Sequence, residues 1–261
     1  MNLPTFSPGD DPGPDFARLV RNSGLSAPVP SGDATLAVPH GTTCLAVRFA
    51  DGVIMAGDRR ATSGKLISHR NIEKVFPGDR YSGIAIAGAA GPAVQMVRLF
   101  QLQLEHYEKV EGDHLSLEGK ANQLSQMVAQ HLPMAMQGLA VVPIFAGYDL
   151  KRGEGRLFQY DVTGGRYEEA DHTATGSGSL HAGTVVKMGW RRDLREADAV
   201  DLVLEALYQA AEEDSATGGP DLLRGIYPIV ATITARGFER IDDSGLAERT
   251  EALIERLRER R

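Results

Sequence analysis

Hydrophobic positions divide the chain at about residue 42. Along residues 42–49 bulky and small side chains alternate: Thr43, Leu45, Val47 and Phe49 fall on one face, and Thr42, Cys44 and Ala46 on the other. A period of two marks a strand, and both faces, uncharged until Arg48, look largely buried. An Asp51-Gly52 pair then predicts a hairpin turn into a second strand, Val53 to Gly57. Further strands are expected at Ser82 to Ala87, Leu139 to Gly147, Arg156 to Asp161 and Tyr227 to Thr234. Between them the period becomes helical. Ala93, Met96, Val97, Phe100, Leu104 and Tyr107 recur at helix spacing, as do Leu117, Ala121, Leu124, Met127, Val128 and Leu132. A second helix pair is expected at Leu180 to Trp190 and Ala197 to Ala211, and a last helix carries Leu246, Leu253, Ile254 and Leu257. Strands apolar on both faces, accompanied by paired helices, predict an α+β fold: a four-layer αββα sandwich of two stacked antiparallel sheets flanked by helices.

Residues 1–41 follow neither period. They hold Pro4, Pro8, Pro12, Pro14, Pro28, Pro30 and Pro39, seven of the 13 prolines, so this stretch cannot build a packed core of its own. Within it, Asp15 to Asn22 is spaced for two turns of amphipathic helix stopping at Gly24, able to dock without folding alone. The expected organisation is therefore a removable leader, 1–41, and one domain, 42–261, of about 220 residues.

Composition removes several function classes. A formal charge of -7 argues against a partner that presents a phosphate backbone, so no nucleic acid is expected. The terminal Arg256, Arg258, Arg260 and Arg261 read as a solvated helix end, where cations suit the dipole. No apolar run approaches the roughly 20 residues of a membrane span, and no basic-then-apolar signal opens the chain. A single cysteine, Cys44, leaves no intrachain disulfide and points to a reducing, cytoplasmic setting. Inside a strand it reads as a small apolar residue rather than a nucleophile. The seven histidines lack ligand spacing, so no metal is expected. The glycines of Gly176 to Gly183 miss the dinucleotide fingerprint, so no cofactor is expected either.

The chemistry gathers at the Gly41-Thr42 junction. If that bond is cut, Thr42 gains a free α-amine beside its hydroxyl, a nucleophile with its own base. The amine, with a reference pKa of about 7.7–8.0, suits proton abstraction near neutrality, whereas a lysine starts near about 10.4. Lys74 is therefore read as a cation held by a carboxylate, Asp58, stabilising charge at the threonine oxygen. Singly, these are a good strand start, a turn residue and an ordinary lysine; together with a glycine before the threonine, which removes a clash at a contorted scissile bond, they form a constellation.

The chain from Thr42 onward resembles the β-subunits of the 20S proteasome, most closely the actinobacterial type. The matching stretches include His40-Gly41-Thr42-Thr43, Val53 to Thr62, Lys74-Val75, Ile86-Ala87-Gly88, Leu104 to Tyr107, Ala146 to Asp149, Gly176 to Ser179 and Asp214 to Pro220. The resemblance implies an N-terminal-nucleophile hydrolase fold and a threonine protease made as a precursor. Thr42 would attack the Gly41 carbonyl to release the leader, then hydrolyse peptide bonds by the same cycle. It further implies the Gly88 amide as oxyanion donor, and Ser177, Asp214 and Thr217 around the threonine amine, with Thr217 in place of the usual serine. Substrate would pair as an added strand with Thr62 and with Gly88 to Ala90. Ala61, Ile72, Phe76, Ile86, Ala90 and Val94 are implied around the first specificity pocket; all are apolar, which gives the expectation of cleavage after large apolar residues. The implied partners are proteasome α-subunits, other β-subunits in heptameric rings (an α7β7β7α7 core), a ring-shaped ATPase acting through the α rings, and unfolded polypeptides. Two other readings stay open: another N-terminal-nucleophile amidohydrolase, and an inactive structural ring subunit.

Overall fold

The computed structural model describes residues 42–259. Gly41 and the helix expected at 15–22 lie outside the described residues. Strand β1 (Thr43–Phe49) and strand β2 (Gly52–Gly57) form an antiparallel hairpin pairing Phe49 with Gly52. The turn thus falls on Ala50-Asp51, one position earlier than the Asp51-Gly52 pair suggests. Gly52 is needed for a different reason: a Cβ there would run into the backbone carbonyl of Ile233, on the neighbouring strand β11 (Ile229–Thr234). Close approach of two backbones, not turn conformation, selects the glycine.

Two five-stranded, fully antiparallel sheets result. One has the order β10 (His172–Gly176), β1, β2, β11, β12 (Gly237–Arg240). The other runs β5 (Val75–Asp79), β6 (Ser82–Gly88), β7 (Val141–Asp149), β8 (Glu154–Tyr160), β9 (Arg166–Glu169). A separate small hairpin joins β3 (Ala61–Ser63) to β4 (Leu66–His69). The helices are α1 (Ala90–Glu111), α2 (Leu117–Gln130), the single turn α3 (Leu132–Ala135), α4 (Ser179–Gly189), α5 (Glu196–Glu213) and α6 (Asp243–Glu259).

Side-chain size sorts the layers. The bulky face of β1, Leu45, Val47 and Phe49, packs with Val203 and Leu207 of α5, Val186 of α4 and Leu253 of α6. The small face, Cys44 and Ala46, meets Val75, Ala85, Ile144, Ala146 and Leu157 of the opposite sheet. The far side of that sheet packs Ile84, Phe145 and Phe158 against Phe100 of α1 and Leu124 of α2. Three apolar strata separate four layers, so the expected αββα sandwich is the observed one. Each large side chain sealed in these strata contributes ~1.5–3 kcal/mol relative to exposure. The inner stratum mixes small residues such as Cys44, Ala46 and Ala85 with the larger Met55, Ile144 and Leu157.

Among the described residues no helix is long and apolar enough to cross a membrane, and no group of three or more histidine, cysteine or acidic side chains is placed to hold a metal.

Candidate active site

Thr42 immediately precedes β1 and is held from the neighbouring strand of the same sheet. Its carbonyl accepts the Ser177 N–H at 2.9 Å and the Ser177 hydroxyl at 3.4 Å, just beyond the end of β10. The antiparallel register pairing Thr43 with Gly176 sets this contact. Thr42 is almost wholly buried, yet it lines a cavity of about 630 Å3.

Asp58 follows β2 and donates its N–H to the Thr43 carbonyl at 3.1 Å, which turns its side chain inward. The carboxylate is completely buried. Oδ1 accepts the Lys74 ammonium at 2.6 Å and the Thr43 N–H at 2.8 Å. Oδ2 accepts the N–H groups of Arg60 at 2.8 Å and Gly218 at 2.9 Å. Lys74, placed by its position just before β5, is 2% exposed and also donates to the Arg60 carbonyl at 2.5 Å. A buried ion pair is tolerable only when hydrogen bonds satisfy both partners, and here they do. The backbone on the other side of Lys74 is fixed by the Ile86 N–H, which donates to its carbonyl at 2.9 Å. Lys74 and Thr42 line the same cavity.

A second cluster comes from the end of α5. Asp214 breaks the helix with extended backbone, its N–H still donating to Ala210 at 2.8 Å. Its Oδ2 receives the hydroxyls of Ser177 at 2.5 Å and Thr217 at 2.6 Å, and Oδ1 receives the Ala216 N–H at 3.0 Å. Partial burial pushes the Asp214 carboxyl upward, but these hydrogen bonds outweigh it and hold the group below the ordinary carboxylate range. A threonine at 217 thus preserves the hydroxyl bond to Asp214.

Gly88 ends β6 with φ of 111°, a conformation natural only to glycine. A Cβ there would strike the Ala140 carbonyl. The cavity wall includes Gly88 and all six expected pocket residues, Ala61, Ile72, Phe76, Ile86, Ala90 and Val94. Thr62 is not part of that wall; it sits in the β3–β4 hairpin opposite Ile67. One side of the cavity is polar, with Ser63, Ser68, His69 and Glu73, and Glu73 is paired to Arg240 at 2.6 Å. Cys44 lies in the stratum between the sheets, its thiol donating to the Ile86 carbonyl at 3.5 Å. Burial pushes that thiol up to about 12, which removes it as a nucleophile.

Several participants escape the sequence reading. Thr43, Arg60, Gly218, Gly178 and Ala216 hold the two clusters through backbone N–H groups or a hydroxyl. Backbone donors carry no residue-type signal. Thr43 alone has one, being a second hydroxyl beside the nucleophile candidate.

A four-layer αββα sandwich with the head of a central strand opening on a cavity is the architecture of the N-terminal-nucleophile hydrolase fold class. Comparison with known proteins narrows the class. A family model described as "Proteasome subunit" matches residues 38–221. The chain is 61% identical over 262 residues to a "Proteasome subunit beta" of Acidimicrobium ferrooxidans, covering 100% of this chain and 96% of that relative. It is 59% identical over 218 residues to a "Proteasome subunit beta" of Streptomyces griseus subsp. griseus, covering 84% of this chain and 78% of that relative. The chain belongs to the proteasome subunit family, and its role is that of a β subunit of this protein-degrading assembly, made to associate with other proteasome subunits.

Proposed function

We propose that the chain is made as an inert precursor and becomes a threonine endopeptidase when the Gly41-Thr42 bond is cut. The observation that supports this best is the buried Lys74–Asp58 pair, whose lysine stands on the wall of the cavity that Thr42 lines. In activation, Thr42 Oγ adds to the Gly41 carbonyl carbon, the carbon–nitrogen bond breaks, and the acyl group passes from nitrogen to oxygen. Water then hydrolyses the ester, releasing residues 1–41 with a new carboxylate and leaving Thr42 with a free amine.

Substrate cleavage repeats the sequence. The Thr42 amine takes the hydroxyl proton, the oxygen attacks the scissile carbonyl, and the proton passes to the leaving amine as the acyl-enzyme forms. Water, deprotonated by the same amine, completes hydrolysis. Lys74 stabilises the charge on the threonine oxygen, and the Gly88 N–H serves as oxyanion donor, a contact worth about 2.7–4 kcal/mol in related chemistry. Ser177, Asp214 and Thr217 orient the amine. Substrate backbone adds as a strand along Thr62 and Gly88 to Ala90, and a pocket walled by Ile72, Phe76, Ile86 and Val94 favours cleavage after large apolar residues, a chymotrypsin-like preference. The working particle in this proposal is an α7β7β7α7 core in the cytoplasm, fed with unfolded polypeptides by a ring-shaped ATPase.

Intact mass measurement of the assembled protein tests the proposal. Loss of residues 1–41 from the unmodified chain, and their retention with loss of peptidase activity in Thr42→Ala, is the expected result. Retention in both, with activity undiminished, overturns it.

A further inference from the structure

Thr43 is fully buried, and its two polar groups turn to different clusters. Its N–H donates to Asp58 Oδ1 at 2.8 Å, the oxygen that Lys74 also holds. Its hydroxyl lies 2.5 Å from Thr217 Oγ1 and accepts the Gly178 N–H at 3.0 Å.

The direction of each O–H bond follows from what the groups can donate. An ionised carboxylate only accepts, so Thr217 directs its single proton to Asp214 Oδ2 at 2.6 Å. Thr217 Oγ1 therefore accepts from Thr43, whose own oxygen accepts from Gly178. The result is a one-way chain: Gly178 N–H, Thr43 O–H, Thr217 O–H, Asp214 carboxylate. Every hydroxyl in it donates once and accepts once, and both threonines are sealed from solvent. Ser177 differs. It reaches the same Asp214 oxygen at 2.5 Å but is exposed and also lies 3.4 Å from the Thr42 carbonyl.

We propose that Thr43 is a positioning residue that joins the Asp58–Lys74 pair to Asp214, and that Thr217 buttresses Asp214 from the buried side, leaving Ser177 as the hydroxyl that meets the Thr42 main chain. This rests on the reading of Thr42 as the nucleophile. Thr43 touches no reacting atom; it acts by fixing Asp214, and through Ser177 the Thr42 main chain, relative to Lys74. Charge-assisted chains of this kind couple their members strongly, because loss of one link leaves buried groups unpaired.

The test uses the assembled particle and a fluorogenic peptide carrying a large apolar residue at the cleavage point. Thr43→Val keeps the shape and the backbone N–H to Asp58 but removes the hydroxyl; it is expected to lower kcat about tenfold or more with KM changed less than about twofold. Thr43→Ser restores the donor and is expected within about threefold of the unmodified enzyme. Since Thr43 and Thr217 act through one bond, the double variant with Thr217→Val should be no worse than the worse single variant. A Thr43→Val enzyme with kcat within about twofold of normal, or losses that multiply in the double variant, overturns the proposal. A loss of more than about tenfold in Thr43→Ser also overturns it, and that variant does not depend on valine being tolerated. Thr42→Ala separates the two levels. Activity retained there overturns the nucleophile and Thr43's role together; an inactive Thr42→Ala beside an unaffected Thr43→Val overturns Thr43's role alone.

Discussion

Lys74 Nζ donates to Asp58 Oδ1 at 2.6 Å, with side chains 2% and 0% exposed, so neither charge has water to fall back on. Removing one partner leaves the other buried and unpaired. Lys74→Met should therefore lower stability by about 3–5 kcal/mol as well as abolish peptidase activity. Pairing it with Asp58→Leu should recover only part of that stability, because the N–H groups of Thr43, Arg60 and Gly218 lose their acceptor, at about 1–3 kcal/mol each. Thermal denaturation of the single and double variants checks the ordering; a double variant as stable as the unmodified protein would show that those N–H groups find other partners.

Cys44 should behave as a packing residue. With its thiol pushed up to about 12 by burial, the folded protein should resist iodoacetamide at pH 8 and label only on denaturation. Cys44→Ala should keep its peptidase activity and lose no more than ~1 kcal/mol of stability. Rapid labelling of the native protein, read by mass, would contradict the burial argument.

Gly88 tolerates no side chain. Its φ of 111° and the Ala140 carbonyl in the path of a Cβ predict that Gly88→Ala costs more than ~2 kcal/mol and displaces the adjacent N–H. The expected readout is a fall in kcat of about a hundredfold with the particle still assembled. Near-normal turnover would remove the Gly88 amide from the proposed mechanism.

Acid sensitivity should centre on Arg156. This buried guanidinium bonds Glu168 at 2.7 Å, Glu118 at 2.7 Å and Asp149 at 3.2 Å, and lies 5.0 Å from the Phe158 ring centre. Hydrogen bonds from Arg166 and Arg156 lower the Glu118 carboxyl, and the bond from Arg156 lowers that of Glu168. Burial raises Asp149, but the N–H groups of Arg152 and Lys151 together with Arg156 outweigh it. Carboxyls lowered in the folded state stabilise it above their unfolded values, about pH 4, and lose that contribution as the pH falls through their folded values. Arg156→Leu should cost about 2 kcal/mol at neutral pH, discounted for the partly exposed glutamates, and move the acid-unfolding midpoint upward. An unchanged midpoint in a circular-dichroism titration would refute the assignment.

What the sequence disclosed tracks how far each element is buried. Strand β1 shows its period plainly because both faces are sealed, and α5 shows its stripe because Val203 and Leu207 face a sheet. By contrast β4 is exposed throughout, and β9 is the polar run Arg166 to Glu169; neither offers an apolar period. Strand β5 hides behind Pro77 and Gly78, residues that an edge strand admits and a central one does not. At the site, Thr42, Asp58 and Lys74 could be named from the sequence because the proposed chemistry calls for those side-chain types. The N–H of Gly218 and the hydroxyl of Thr43 could not, because their service depends on where register and loop closure bring them.

The register pairing Thr43 with Gly176 has a consequence for the order of events during synthesis and folding. Thr43 meets Thr217 across 174 positions of sequence, and Ser177 meets Asp214 only after α4 and α5 have been laid on the sheet. Contacts this distant in sequence form late. The cluster is thus a late arrival: the parts of the hydroxyl chain cannot coexist until nearly the whole sandwich has closed, so on the proposed mechanism a half-folded chain lacks this part of the frame around Thr42.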